Sequence, residues 1–181
     1  MKLIRVAVQV IHDASATAFT VGDSIASTPA DALRFKVPTR SGKVLGARAV
    51  VTPASASVVI TALDFDLILF RPAPGIPFAD AAFPADNAAC TITAAMYREF
   101  IGKFSFLNTA WRNELGALTA GATATQAVAP APQVPMPYNL DTLAGGAGLY
   151  LLGLIQVVAA WTPLTVLNTI DIALDIEPIE D

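Results

Sequence analysis

The sequence predicts an all-β protein: an antiparallel β-sandwich, jelly-roll-like, with one short helix and extended loops or arms. Three observations carry that expectation. Apolar residues recur at every second position in several segments, which is the period of a strand half buried against a core. Gly and Pro turns separate these segments at short intervals. Strand–helix–strand repetition, the mark of a parallel sheet, is missing. The last segment is the clearest case, because Ile170, Ile172, Leu174 and Ile176 alternate with Asp171, Ala173, Asp175 and Glu177. One face of that strand is apolar and the other acidic.

Taken in order, Val6, Val8 and Val10 alternate within Met1 to Ile11. Arg5 and Gln9 interrupt the apolar run, so the segment reads as a strand and not as the core of a signal peptide. Residues 1–17 are expected to form an added strand or N-terminal arm. Ala18 to Ile25 pairs an aromatic entry, Phe19, with a Gly22-Asp23 turn. Leu33, Phe35 and Val37 alternate again and should face inward. Arg40 to Lys43 reads as a turn, and Val44 to Thr52 as a strand ended by Pro53.

The longest strand pattern runs from Ser57 to Phe70, with Leu63, Phe65, Leu67 and Leu69 on one face and Asp64 and Asp66 on the other. A proline-rich loop follows, carrying Phe78 and Phe83. Thr93 can cap a short helix over Ala94 to Ile101 that stops at Gly102. Lys103 to Leu107 resumes extended structure. Residues 116–137 are rich in Pro and Ala and read as a loop, an extended arm or a weakly paired pair of strands around Gln126 to Ala129. Leu143 to Trp161 is long and apolar enough to span a bilayer. Its four glycines, its β-branched residues and the lack of flanking basic residues favour a strand buried on both faces.

The 181 residues fit a single domain and are 54% apolar and 14% charged, against an ordinary charged share of about 25%. Such a chain is expected to bury extra surface in a homo-oligomer, a dimer or trimer. Charge is also divided along the chain. Residues 1–50 carry seven basic and three acidic groups, and residues 113–181 carry no basic and seven acidic ones. That split suits N- and C-terminal strands that face each other, or a head-to-tail contact between subunits. It does not suit nucleic acid, which needs a basic stripe.

No arrangement of residues points to catalysis, a cofactor or a metal. His12 is the only histidine and Cys90 the only cysteine, too few for a zinc site of ordinary composition. No nucleophile-elbow sequence accompanies His12 and Asp13. Gly146-Ala147-Gly148 lacks the third glycine of a dinucleotide fingerprint, since Leu151 stands there. Asp64 and Asp66 share a strand face and are expected to be solvated. Cys90 is expected to be a small buried hydrophobe. Phe78 and Phe83, with Asn87 and Tyr138, are the residues expected to touch a partner chain.

Some of these residues have a familiar succession. A strand ending in Leu67-Ile68-Leu69-Phe70-Arg71-Pro72 is followed by a loop, Asp86-Asn87-Ala88-Ala89, a short helix closing in Phe100-Ile101-Gly102, then Phe104-Ser105-Phe106 and Trp111. This resembles the small β-sandwich virion proteins that decorate or cement the capsids of tailed double-stranded DNA bacteriophages. Phe19 to Asp23, Leu149 to Leu152 and the final alternating strand fit the same pattern. The N-terminal strand and the proline-rich stretch between Gly116 and Pro137 depart from it.

The resemblance implies a non-enzymatic protein on the outer capsid surface of a virion, present in the host cytoplasm before assembly. Its partners would be the major capsid protein and its own copies, with no nucleic acid or membrane bound directly. The alternative is a fibre or tail module that binds a host receptor or carbohydrate. That function requires an exposed aromatic platform, for which Tyr97, Trp111, Tyr138 and Trp161 are the candidates.

Overall fold

A computed structural model describes residues 3–12, 18–26, 33–53, 63–72, 87–107, 111–112, 125–128, 135–140, 149–161 and 168–179. Among them are eleven strands and one short helix: β1 Ile4–His12, β2 Ser24–Ile25, β3 Leu33–Lys36, β4 Ser41–Pro53, β5 Phe65–Phe70, α1 Ala94–Arg98, β6 Phe100–Phe106, β7 Trp111–Arg112, β8 Thr125–Val128, β9 Met136–Asn139, β10 Tyr150–Val157 and β11 Asn168–Ile179. One sheet runs β1-β11-β4-β8-β7, with β9 also on β4; the other runs β2-β10-β5-β6, with β3 also on β10. Every pairing is antiparallel.

The topology is simpler than eleven strands suggest. β2 and β3 lie end to end along β10, and β9 and β8 lie end to end along β4. Merging each pair leaves eight strand positions plus the short edge strand β7. The first then pairs the last (β1·β11), the second the seventh (β2/β3·β10), the third the sixth (β4·β9/β8) and the fourth the fifth (β5·β6). A long hairpin wrapped into two sheets gives this order, which is that of a jelly roll. β1 lies near β3, and β6 near β9 and β4, so the sheets face each other in matching order.

The core lies between them. From one sheet come Val44, Ala47, Ala49, Val51, Ile170, Ile172, Leu174 and Ile176, and from the other Leu33, Phe35, Phe65, Leu67, Leu69, Phe104, Phe106, Leu151, Ile155 and Val157. The alternation read from β3 and β11 is the alternation observed. Phe65 and Phe106 stack across β5 and β6 with ring centroids 4.7 Å apart. Phe19 and Trp161 join the two segments that flank β2 and β10, through a bridge and a ring contact at 5.4 Å. Gly22, with φ of 95°, makes the turn before β2. Asp23 closes that turn by accepting from the Thr20 amide at 2.6 Å and the Thr20 hydroxyl at 2.8 Å.

Several sequence expectations are corrected. Arg40 to Lys43 is not all turn, because β4 begins at Ser41 and pairs both β11 and β9 there. β4 also carries a bulge. Ile176 faces Val44 and Asp175 faces Gly46, so Leu45 is the extra residue and the inward parity changes along the strand. The helix ends at Arg98, not at Ile101, and Gly102 lies within β6. The reason is tertiary: β6 pairs β5 from Phe100 onward, and Met136 lies against Gly102 where a Cβ would stand. Thr93 does cap the helix, its hydroxyl accepting from the Met96 amide at 3.2 Å.

β10 is buried on both faces, as its composition predicts. No helix among the described residues is long and apolar enough to cross a membrane. Of the alternatives open for the Pro- and Ala-rich stretch, Thr125–Val128 takes the strand, as β8. The earlier half of the Ser57 to Phe70 pattern and the loop holding Phe78 and Phe83 lie outside the described residues.

The outer face of the β10–β5 sheet is covered too. Ile68, Phe70, Leu152 and Leu154 form a second cluster with Met96 of α1, and Cys90 packs against it. The helix is therefore held by its single buried side chain against a sheet that has cores on both sides.

Gly153 shows how tightly the main core is filled. A Cβ there would stand 2.7 Å from Cε2 of Phe35 and 3.3 Å from Cβ of Leu33 and Cδ1 of Leu67. Gly153→Ala should therefore lower stability by about 1–3 kcal/mol through overpacking, read from chemical denaturation midpoints. A variant as stable as the parent would show that this layer yields.

Candidate functional site

Three polar or aromatic arrangements stand out, one on the β1–β11–β4 sheet and two on the opposite sheet. The first answers the charge split. β11 lies between β1 and β4, so its acidic outer face is flanked by basic residues from the N-terminal part of the chain. Arg5 Nε donates to Asp175 Oδ1 at 2.8 Å, and Arg48 Nε stands 3.6 Å from Oδ2 of the same carboxylate. Gln9 donates to Asp171 at 2.8 Å, and Lys43 lies 3.9 Å from Glu177. The two oppositely charged ends of the sequence thus meet within one chain. These pairs are partly exposed and contribute little each, but they fix which strands are neighbours by removing like-charge alternatives.

The second is a polar row across the outer face of the β10–β5 sheet. In register, Ser24 of β2 faces Gln156 of β10, Gln156 faces Asp66 of β5, and Asp66 faces Ser105 of β6. Asp66 is only 5% exposed, which corrects the expectation of a solvated carboxylate. It is tolerated because Lys103 Nζ donates to Oδ2 and Ser105 Oγ to Oδ1, both at 2.6 Å. A buried carboxylate needs such partners. Within the row the hydrogen bonds centre on Asp66, while the Ser24 hydroxyl donates to Ala88 O at 3.3 Å, and no histidine or cysteine enters it. Among the described residues no group of three or more His, Cys, Asp or Glu side chains could hold a metal ion.

The third is an aromatic pair at the junction of α1 and β6. Tyr97 is 73% exposed and Phe100 42%, and they are the exposed large aromatic side chains among the described residues. Their rings are parallel within 3°, with centroids 6.2 Å apart. Local structure explains both placements. Met96 is buried, which turns its neighbour Tyr97 outward. In β6 the register shifts, with Leu69 facing Gly102 and Phe70 facing Phe100, so Ile101 is the extra residue. That bulge puts Phe100 on the outer face beside Tyr97 while Ile101 packs on the main core.

Phe100 is steadied from below by an edge-to-face contact with buried Phe70, at 6.2 Å and 65°. The end of the helix is tied down on its other side: the Arg71 amide donates to the Glu99 carbonyl at 2.9 Å. The Arg71 guanidinium also pairs with the Glu99 carboxylate at 3.0 Å. Two exposed rings thus stand at a helix end that is tied to the strand end after β5.

The residues singled out from sequence fall in different places. Phe78 and Phe83 lie outside the described residues. Asn87 sits in a turn with φ of 54°, a left-handed conformation that Asn adopts more readily than most residues, and its amide donates to Ser24 O at 2.9 Å. Tyr138 is 4% exposed and lies across Gly42 in the core, where burial raises its phenol pKa above the ordinary value. Of the four platform candidates, Tyr138 and Trp161 are core residues and Tyr97 is exposed. For Trp111 the backbone is described, in β7. Phe100 carried no sequence signal, because the bulge that exposes it is set by pairing with β5.

Two outcomes test this geometry. Lys103→Ala leaves Asp66 buried with one hydroxyl partner and should cost about 1–3 kcal/mol in denaturation. Asp66→Asn should cost less, because the half-exposed Lys103 regains water. Equal stability of Lys103→Ala and the parent would contradict the role given to the pair. At Cys90, burial pushes the thiol up to about 11, so the native protein at pH 8 holds almost no thiolate. Iodoacetamide should modify it far more slowly than the unfolded chain, whose thiol returns to about 8.5.

No family model matches the chain, and no curated protein matches it in sequence.

Proposed function

We propose that this chain is a structural virion protein that binds the outer surface of a bacteriophage capsid and cements neighbouring capsid subunits, as the sequence resemblance implies. The observation that carries the reading is how the scaffold uses its charge. The chain has few charged residues, and on the β1–β11–β4 sheet Arg5, Lys43 and Arg48 face Asp175 and Glu177 of the same chain. A surface whose charges are satisfied internally can be covered by a neighbouring subunit at low desolvation cost.

The jelly-roll core suits the same reading, since two facing sheets close one continuous apolar core and leave their outer faces to meet neighbouring subunits. Each copy would add contact area between capsid subunits, with interfaces of about 1,200–2,000 Å² repeated over a shell. Repetition lets individually modest contacts hold. The partners in this reading are the major capsid protein and further copies of the chain, as a dimer or trimer.

Light scattering of the purified protein, followed by co-sedimentation with capsids stripped of accessory proteins, tests the proposal. The expected result is a discrete oligomer that saturates the shell at a fixed ratio to the capsid subunit. A protein that stays in the supernatant at every capsid concentration would overturn it.

A further inference from the structure

We propose that β1 is the contact between two copies of this chain, the two strands pairing antiparallel about a two-fold axis at Ala7 so that the β1–β11–β4 sheets of both copies join into one. The proposal goes beyond the capsid reading and stands without it. Its first ground is that β1 is an edge strand with one side open. It pairs β11 over nine register positions without a bulge, and among the described residues no strand pairs its other side. Its outer residues Arg5, Ala7 and Gln9 are exposed, while Val6 and Val8 pack on the main core and are only partly buried. The backbone donors and acceptors of such an edge are a template for another strand.

The second ground is that the other sheet edges are guarded and this one is not. β7 and β2 have two residues each, and β3 has four with Arg34 and Lys36 exposed. β6 is longer, but it is bulged at Ile101 and carries the half-exposed Lys103. Short length, bulges and lysines are the devices that keep sheet edges apart. β1 uses none of them. It contains no Pro, Gly or Lys, and its arginine, Arg5, is bonded to Asp175.

The third ground identifies the occupant, because the strand is complementary to itself. With Ala7 facing Ala7 of the second copy, Val6 faces Val8 and Ile4 faces Val10 on the core side, all of them apolar. On the outer side Arg5 faces Gln9, and Leu3, which is 52% exposed, comes opposite the position of Ile11. Arg5 and Gln9 already hold Asp175 and Asp171. A row Asp175–Arg5–Gln9–Asp171 then crosses the junction as acid, base, amide and acid, with no like charges opposed. Other registers lose this match. Centring on Arg5 sets two guanidinium groups against each other, and centring on Val6 or Val8 sets Arg5 opposite Ala7 or Ile11. The two-fold axis also closes the contact at two copies.

Sedimentation equilibrium of the whole chain tests the proposal, with substitutions placed at the two-fold axis. The parent should reach the mass of two chains as its concentration rises. Ala7→Lys sets two ammonium groups opposite each other and Ala7→Glu two carboxylates, so each should weaken self-association by about tenfold or more. Ala7 is exposed on the outer face, and both variants should keep the parent's circular dichroism. An equimolar mixture of the two should associate as the parent does, since Lys then faces Glu. Ala7→Cys reads the register without repulsion. A short bifunctional thiol reagent should link two copies through residue 7, while Gln9→Cys, whose position faces Arg5, and the parent with Cys90 alone should stay unlinked. A parent that is monomeric at every concentration, a trimer, a dimer that neither charge variant weakens, or an Ala7→Cys chain that does not link would each overturn the proposal. These measurements use no capsids, so their outcome is separate from that of co-sedimentation.

Discussion

The pairing of β11 with β4 and β1 is the constraint on which the rest of the molecule depends. β11 is hydrogen-bonded along both edges, to β1 over nine register positions and to β4 over twelve. Its inward residues Ile170, Ile172, Leu174 and Ile176 are fully buried and form the centre of one core layer. Its outward residues include the carboxylates Asp171, Asp175 and Glu177, which would repel each other without the polar and basic neighbours on either side. Hydrophobic alternation fixes which face goes inward, since a one-residue slip would bury Asp171 and Asp175. Charge helps fix which strands stand beside it. The wrapped-hairpin topology follows, because once the first and last strands pair, the inner pairs have matching partners left.

The opposite sheet works under a different rule. Its central strands β5 and β10 have apolar residues at both parities, and they are covered on both sides, by the main core and by α1 with its small cluster. Where that outer face turns polar, the buried Asp66 is held by hydrogen bonds from Lys103 and Ser105, and Ser24 by one to Ala88 O. The same sheet thus changes along its length from a polar row at one end to an apolar seat for the helix at the other. The helix is short, with one buried residue, and is held by Thr93 at its start and the Arg71–Glu99 contacts at its end. Its burial of Met96 leaves Tyr97 on the outside.

Much of the fold was legible in the sequence where local pattern and tertiary environment agree. β1, β3 and β11 show their inward residues by simple alternation, and β10 shows double burial by its unbroken apolar run. The reading failed where pairing overrides local pattern. Phe65 to Phe70 contains the needed clue in Ile68 and Phe70, which are apolar on the face that also carries Asp66. A face shared by two large hydrophobes is rarely solvated, and that would have placed Asp66 under cover. The helix end was misplaced because Gly102 looks like a stop signal, whereas its lack of a side chain makes room for Met136. The aromatic pair was half legible. Tyr97 could be named, but Phe100 reaches it only through a bulge set by pairing with β5, which no local spacing encodes.

One consequence of the strand order concerns the making of the protein on the ribosome. β11 follows in the chain every strand it pairs with, so as synthesis proceeds β1 and β4 emerge long before the strand that separates them. Until residues 168–179 leave the exit tunnel, both carry an open edge and an unbalanced set of positive side chains. Such edges pair readily with other chains, and contacts between distant segments form slowly. The basic groups that later bind β11 then have a second use, as mutual repulsion that keeps nascent chains apart. Charge segregated by position in the sequence becomes charge neutralised in the finished sheet, and the interval between the two is when the chain is most exposed to its neighbours.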